Sequence, residues 1–236
     1  MSGQFSIGPG LDIAALKAAF DRDGRVEIRD FLSPPDAARL RAHLIAREDW
    51  KLVLNAGDKV YEMPRGAIDG LSPAQRDELE RRSLDAARHG FHFRYDAIRV
   101  PEDPSARTTL LDDFVSFLSS DEVRHLLREI SGIADLDYAD GQATAYSAGH
   151  YLTRHDDDVV GKQRRAAYVL GLTPDWRPEW GGLLMFHRPD GHVEEAFVPA
   201  MGALRLFAVP AAHSVSYVTP MAPEPRLSVT GWLRYR

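Results

Sequence analysis

Residues 143–158 read Ala143-Thr-Ala-Tyr146-Ser-Ala-Gly149-His-Tyr-Leu152-Thr-Arg-His155-Asp-Asp157-Asp158, and the reading of this stretch decides the fold. It lies where the chain changes character, near residue 136. From there, short apolar and aromatic runs alternate with Gly, Pro and Asp. The runs 143–152, 166–172, 182–187, 194–199, 203–209, 213–218 and 227–234 all have strand length. Many short strands with frequent turns point to a sandwich, jelly roll or barrel.

Upstream, the pattern is mixed. Leu11 to Phe20 has apolar residues at helical spacing, closed by Gly24. Residues 25–31 alternate like a strand, and Ser33-Pro34-Pro35-Asp36 starts a helix running to about Arg47. Leu52 to Met63 predicts a hairpin broken at Asn55-Ala56-Gly57. Leu71-Ser72-Pro73 opens a helix through the charged run 76–88, which reads as a solvated face. An aromatic strand over 90–100, a loop over 100–105 and helices over 109–119 and 121–131 complete this half. No flexible linker divides the chain. The expectation is one domain over 1–236, with a helix-rich elaboration over 1–135 and a β core over 136–236.

The chain has 236 residues, a net charge of −6 and no cysteine. The charge weighs against a broad basic face for nucleic acid. The lack of cysteine excludes disulfides, thiolate metal sites and thiol nucleophiles, so any metal is held by His and carboxylate. The opening MSGQFSIGPG resembles no leader peptide, and no apolar run reaches about 18 residues. A cytoplasmic protein without a membrane partner is expected.

Within the predicted β core, Thr153-Arg154-His155-Asp156-Asp157-Asp158 is the densest polar cluster. On a strand, His155 and Asp157 share a face and Asp156 turns away. His213 starts another predicted strand. If the two strands are neighbours, these three residues make a 2-His-1-carboxylate triad, the geometry that suits Fe(II) with open positions. Two neutral imidazoles and one carboxylate leave about +1 on the metal, which attracts an anionic co-ligand. A solvated turn at His155–Asp158 is the bland alternative. The other seven histidines read as surface or satisfied core residues. In the last segment, period 2 puts Arg226, Ser228, Thr230 and Trp232 on one face and Leu227, Val229 and Leu233 on the other. A guanidinium beside a hydroxyl suits a carboxylate, although an ordinary edge strand has the same pattern.

Taken together, these residues resemble the Fe(II)/2-oxoglutarate dioxygenases, most closely the prolyl-hydroxylase-like branch. Tyr146 to Asp157 is similar to that branch's Y-x-x-G-x-x-L/Y-x-x-H-x-D pattern. Arg164 to Leu172 resembles its second core strand, Trp180-Gly181-Gly182-Leu183 its W-x-x-GG-x-L turn, and Pro199 to Phe207 the strand before the distal His. The Phe20, Gly24 and Phe31-Leu-Ser spacing is similar to the common opening of such enzymes. The resemblance implies a double-stranded β-helix (jelly-roll) core with flanking helices. It also implies Fe(II) on His155, Asp157 and His213, with 2-oxoglutarate paired to Arg226. Ser228 and Tyr146 become candidate hydrogen-bond donors to the cosubstrate. The implied reaction consumes O2 and 2-oxoglutarate, hydroxylates a C–H bond and releases succinate and CO2, with ascorbate binding as a further implied property.

The substrate implied is an amino acid, peptide or protein, most simply at proline, and the oligomeric state is not readable. The 52–63 hairpin and Phe91-His92-Phe93-Arg94-Tyr95 are candidates for the pocket mouth. The latter also reads as an aromatic strand packing the core, the more ordinary case. Two readings from other classes stay open, a cupin-like metal-binding module and a hydrolase with a His/Asp metal site. Neither needs Arg226 or 2-oxoglutarate.

Overall fold

A computed structural model describes residues 5–236; residues 1–4, part of the opening read above, lie outside the described residues. The helices are α1 (Ile13–Asp23), α2 (Pro34–Ile45), α3 (Pro73–His89), α4 (Leu110–Leu118) and α5 (Asp121–Ser131). The strands of the first half are β1 (Arg25–Ile28), β2 (Lys51–Ala56), β3 (Lys59–Pro64) and β4 (Phe93–Arg99). The second half supplies β5 (Tyr138–Ala139), β6 (Gln142–Tyr146), β7 (Tyr151–His155), β8 (Arg164–Gly171), β9 (Leu184–His187) and β10 (Val193–Phe197). It ends with β11 (Leu204–Ala208), β12 (His213–Val215) and β13 (Arg226–Arg234).

All pairings among these strands are antiparallel, and the order along the sheet is β1-β11-β8-β13-β6-β4-β7-β12-β9-β10. The sheet curls so that β13 and β8 line the same cavity as β7 and β12. This is the mainly β jelly-roll expected. β4 joins the two sides, because Asp96–Arg99 pair with β6 and Phe93–Arg94 pair with β7.

Period-2 alternation sorts the layers. On β13, Leu227, Val229 and Leu233 enter the core shared with the helices, while Arg226, Ser228, Thr230 and Trp232 line the cavity. On β8, Ala166, Tyr168 and Leu170 face the helical core, and Ala167 and Val169 face inward. Against that outer face pack Phe20 of α1, Leu40 and Leu44 of α2, Phe114 and Leu118 of α4, and Leu127 and Ile130 of α5. Each fully buried Leu or Phe contributes roughly 1.5–3 kcal/mol. The helices therefore brace the sheet from outside and leave its inner face free for chemistry.

The helix ends follow local rules. Gly24 closes α1 in the left-handed conformation with φ 65. Ser72 and Gln75 cap α3 reciprocally. Ser33 occupies the N-cap of α2 without capping it; its hydroxyl instead donates to Asp36 at 2.7 Å.

Two expectations need correction, and one strand was not foreseen. The predicted strand 143–152 is two strands, β6 and β7, because the chain turns over Ser147–His150 with Gly149 at φ 88. The hairpin turn is Gly57-Asp58, and Asn55 stays within β2, buried and bridging the carbonyls of Gly57 and Phe91. The two-residue β5 is too short to show periodicity, so the sequence did not reveal it.

Candidate active site

β7 and β12 are neighbours, and their register sets His213 opposite His155, with ring centroids 4.1 Å apart. Each Nδ1 meets a backbone carbonyl two residues earlier: His155 to Thr153 at 3.1 Å, His213 to Ala211 at 2.7 Å. A carbonyl can only accept, so each Nδ1 carries a proton, and in the neutral ring Nε2 is the nitrogen left with a lone pair for a metal. Burial, with His155 alongside, pushes His213 down to about 4, so its ring is neutral near pH 7.

Asp157 completes the cluster by a route that strand periodicity does not describe. β7 ends at His155, and Asp157 lies beyond it with φ 64. That left-handed conformation costs a non-glycine residue roughly 1–2 kcal/mol, and Asp tolerates it better than most. The residue is 9% exposed. Its two carboxylate oxygens lie 3.4 Å from His155 Nε2 and 3.5 Å from His213 Nε2. Burial alone would raise the carboxyl, but the His155 and His213 rings outweigh it when protonated and then hold the group below its ordinary range.

Three acceptor groups thus converge within 4.8 Å of one another. Lone pairs facing a carboxylate are mutually repulsive unless a cation sits among them. The donor set of two imidazoles and one carboxylate fits a divalent first-row metal with positions left open. Asp156 is exposed and accepts from the Asp158 N–H instead.

Arg226 lines the same cavity from β13 and is 4% exposed. Among the described residues no carboxylate pairs with it, and its Nε has no hydrogen-bond partner. Burial lowers the guanidinium to about 10, still cationic near neutral pH. Arg205 is committed to Glu27 at 2.7 Å and Arg164 to Asp157. Arg226 alone of these three awaits an anion. The Ser228 hydroxyl is 2.9 Å from that of Thr144, so one of the pair is free to donate onward. Tyr146 is buried with its ring 5.1 Å from the Arg226 guanidinium, and desolvation raises its hydroxyl, which stays protonated.

The cavity encloses about 310 Å³. One wall is a ladder of rings from β4 and the residues just before it. Phe91, Phe93 and Tyr95 follow at 5.5 Å intervals, and Tyr95 stacks on Tyr146 at 5.3 Å. Phe91 is half exposed at the mouth and 5.5 Å from the His155 ring. Of the two readings of 91–95, the odd positions face the cavity. The even ones turn away, His92 to the Tyr151 hydroxyl and Arg94 to Glu80. None of residues 52–63 lines the cavity, so the hairpin expectation fails: β2 packs along β4 rather than over the opening.

The sequence reading did not assign Arg164 to the site. Its signal was present as the cationic first residue of a strand entering the core, seven residues after a metal-ligating candidate.

Residues 141–234 match the model of the 2OG-Fe(II) oxygenase superfamily. The matched span is the β core that carries the His155, Asp157 and His213 cluster. Members of that superfamily use Fe(II), 2-oxoglutarate and O2. Among curated relatives, prolyl 3-hydroxylase OGFOD1 of Mus musculus is 30% identical over 141 residues, covering 57% of this chain and 24% of that protein. Prolyl 3-hydroxylase sudestada1 of Drosophila melanogaster is 29% identical over 171 residues, covering 67% of this chain and 30% of that protein. The chain therefore spans about a quarter to a third of these relatives. Among solved structures, a Pseudomonas putida prolyl-4-hydroxylase superposes with TM-score 0.60 at 20% identity, over 95% of this chain and 99% of that one. A Trichoplax adhaerens prolyl hydroxylase bound to a hypoxia-inducible-factor peptide gives 0.59 at 13%, over 94% and 89%. These superpositions show the shared fold.

Proposed function

We propose that this protein is an oxygenase that hydroxylates prolyl residues in a peptide or protein, using Fe(II) and 2-oxoglutarate. One observation carries the reading: a buried guanidinium without a carboxylate partner, Arg226, shares a cavity with the His155–Asp157–His213 cluster. A buried unpaired charge is costly, by several kcal/mol. A diacid that meets the metal with one end and Arg226 with the other removes that cost. A metal-binding module or a metal-dependent hydrolase has no use for such a group.

In this reading His155, Asp157 and His213 hold iron, and Arg226 takes the distal carboxylate of 2-oxoglutarate. Ser228, paired with Thr144, and Tyr146 are the hydrogen-bond donors beside it. Bound iron and cosubstrate supply the oxygen chemistry, with one oxygen atom entering the substrate and the other the succinate formed alongside CO2. The chain's own contribution is orientation and exclusion of water. The Nδ1–H bonds to Thr153 and Ala211 fix both imidazoles, and the aromatic ladder supplies an apolar wall against which a saturated ring packs. The names of the curated relatives and the acidic balance of the chain support proline in a polypeptide over nucleic acid. Ascorbate enters as the reductant that restores Fe(II). No helix among the described residues is long and apolar enough to cross a membrane, and a cytoplasmic location is part of the proposal.

The test is an anaerobic titration with Fe(II) and 2-oxoglutarate, followed by turnover on prolyl peptides. A weak visible charge-transfer band, succinate release and one added oxygen on proline are expected. Absence of the band overturns the cofactor assignment. Turnover confined to methylated oligonucleotides or other small molecules overturns the substrate.

A further inference from the structure

We infer that Arg164 is the positioning residue that holds Asp157 in its metal-binding conformation, an inference that rests on the metal site proposed above. Asp157 stands outside β7, in a left-handed conformation, and the residues that follow it, Asp158, Val159 and Val160, are exposed. Packing of that loop therefore does not fix the carboxylate. Arg164, the first residue of β8, donates from Nη1 to the Asp157 carbonyl at 3.0 Å, and the same nitrogen lies 3.8 Å from Oδ1. The contact reaches both the backbone that carries the unusual φ and the side chain that the φ aims.

Arg164 is itself held rigidly. Its side chain is 14% exposed, and its Cζ lies 3.4 Å from the centroid of the Trp232 ring. Trp232 is anchored in turn, its backbone N–H donating to Asp140 Oδ1 at 2.8 Å while Asp140 Oδ2 pairs with Arg234 at 3.1 Å. The residue before it is Gly231 because a Cβ there would meet the Asp140 carbonyl at 2.1 Å. A planar guanidinium that stacks on an indole face while donating from its edge to a carbonyl is not matched by a lysine ammonium, which has no flat face and a single charged point. Arg164 thus links the strand-anchored Trp232 to the one ligand that no strand fixes.

The experiment titrates metal-free protein with Co(II) and follows ligand-field absorbance, so it needs no turnover. Outer partners of metal ligands typically contribute 10–100-fold to metal affinity. Arg164→Leu should weaken Co(II) binding by about that factor and change the absorption envelope as Asp157 is released. Arg164→Lys should recover only part of the affinity, and it carries the test if the Leu variant does not fold. Arg165→Leu, which removes a surface guanidinium paired with Asp135 and stacked on Tyr235, should bind like wild type. Wild-type uptake with an unchanged affinity and spectrum in both Arg164 variants overturns this inference alone, as does an equal loss in Arg165→Leu. A wild-type protein that takes up no Co(II) overturns the metal site as well.

Discussion

Arg226 and Tyr146 are register partners across the β13–β6 pair, and the guanidinium lies 5.1 Å from the phenol centroid with no carboxylate on its other side. The aromatic face offsets part of the charge and leaves the donors of the fork unspent.

From this follow two opposite effects of one substitution. Arg226→Met should raise the 2-oxoglutarate requirement by a few hundredfold or more, from about 3–5 kcal/mol of lost pairing. The same change removes a buried unpaired charge from the unliganded protein, so its melting temperature should stay level or rise. Thermal unfolding with and without 2-oxoglutarate reads both. A loss of unliganded stability together with unchanged cosubstrate affinity would place Arg226 outside the site.

The metal cluster makes a parity prediction. His155→Ala, Asp157→Ala and His213→Ala should each abolish stoichiometric iron binding, whereas Asp156→Ala should retain it, since Asp156 is exposed and bonded to the Asp158 N–H. Iron content after anaerobic loading and desalting decides the matter.

His150 gives a pH dependence remote from the cavity. It sits in the β6–β7 turn, accepting from the Ser147 N–H at 3.2 Å, and burial pushes it down to about 4. An unfolded chain protonates this ring near 6.5. Between those values the unfolded state binds more protons, so stability falls as pH drops across the window. The slope is about 1.4 kcal/mol per pH unit and the total about 3 kcal/mol. His150→Gln should flatten this acid limb in denaturant melts. His213, His43, His92 and His187 are lowered by burial as well, and they contribute to the slope that remains in metal-free protein.

Phe91 tests the cavity mouth. Truncation to Ala removes the half-exposed first ring of the ladder and should raise KM for a prolyl peptide several-fold, leaving the 2-oxoglutarate requirement unchanged. Equal peptide KM values for variant and wild type would return Phe91 to a packing role.

Much of this was legible because alternation is a local property. The split of β13 into Leu227, Val229 and Leu233 against Arg226, Ser228, Thr230 and Trp232 is visible in nine residues and needs no partner strand. Asp157 was reached by the same rule, yet the rule does not hold there: β7 has already ended, and a backbone with φ 64 turns the carboxylate inward. What stayed hidden is what depends on distant strands. Nothing in residues 52–63 reveals that β2 packs along β4, and nothing in residue 164 reveals that Trp232 awaits it. Arg226 was singled out from the sequence, but that Arg205 is already paired with Glu27 could be seen only in the fold.

The double pairing of β4, to β6 through Asp96–Arg99 and to β7 through Phe93–Arg94, makes the site a ruler. The cation on β13 and the imidazole on β7 are separated by hydrogen-bonded ladders rather than by loops, so the gap between them is a fixed length. In the reading proposed, that length measures the diacid. A homologue one methylene shorter would reach the metal and miss the guanidinium, and one a methylene longer would have to buckle against Tyr146. Discrimination among oxo-diacids would thus reside in the strand register that sets Arg226 apart from the metal ligands.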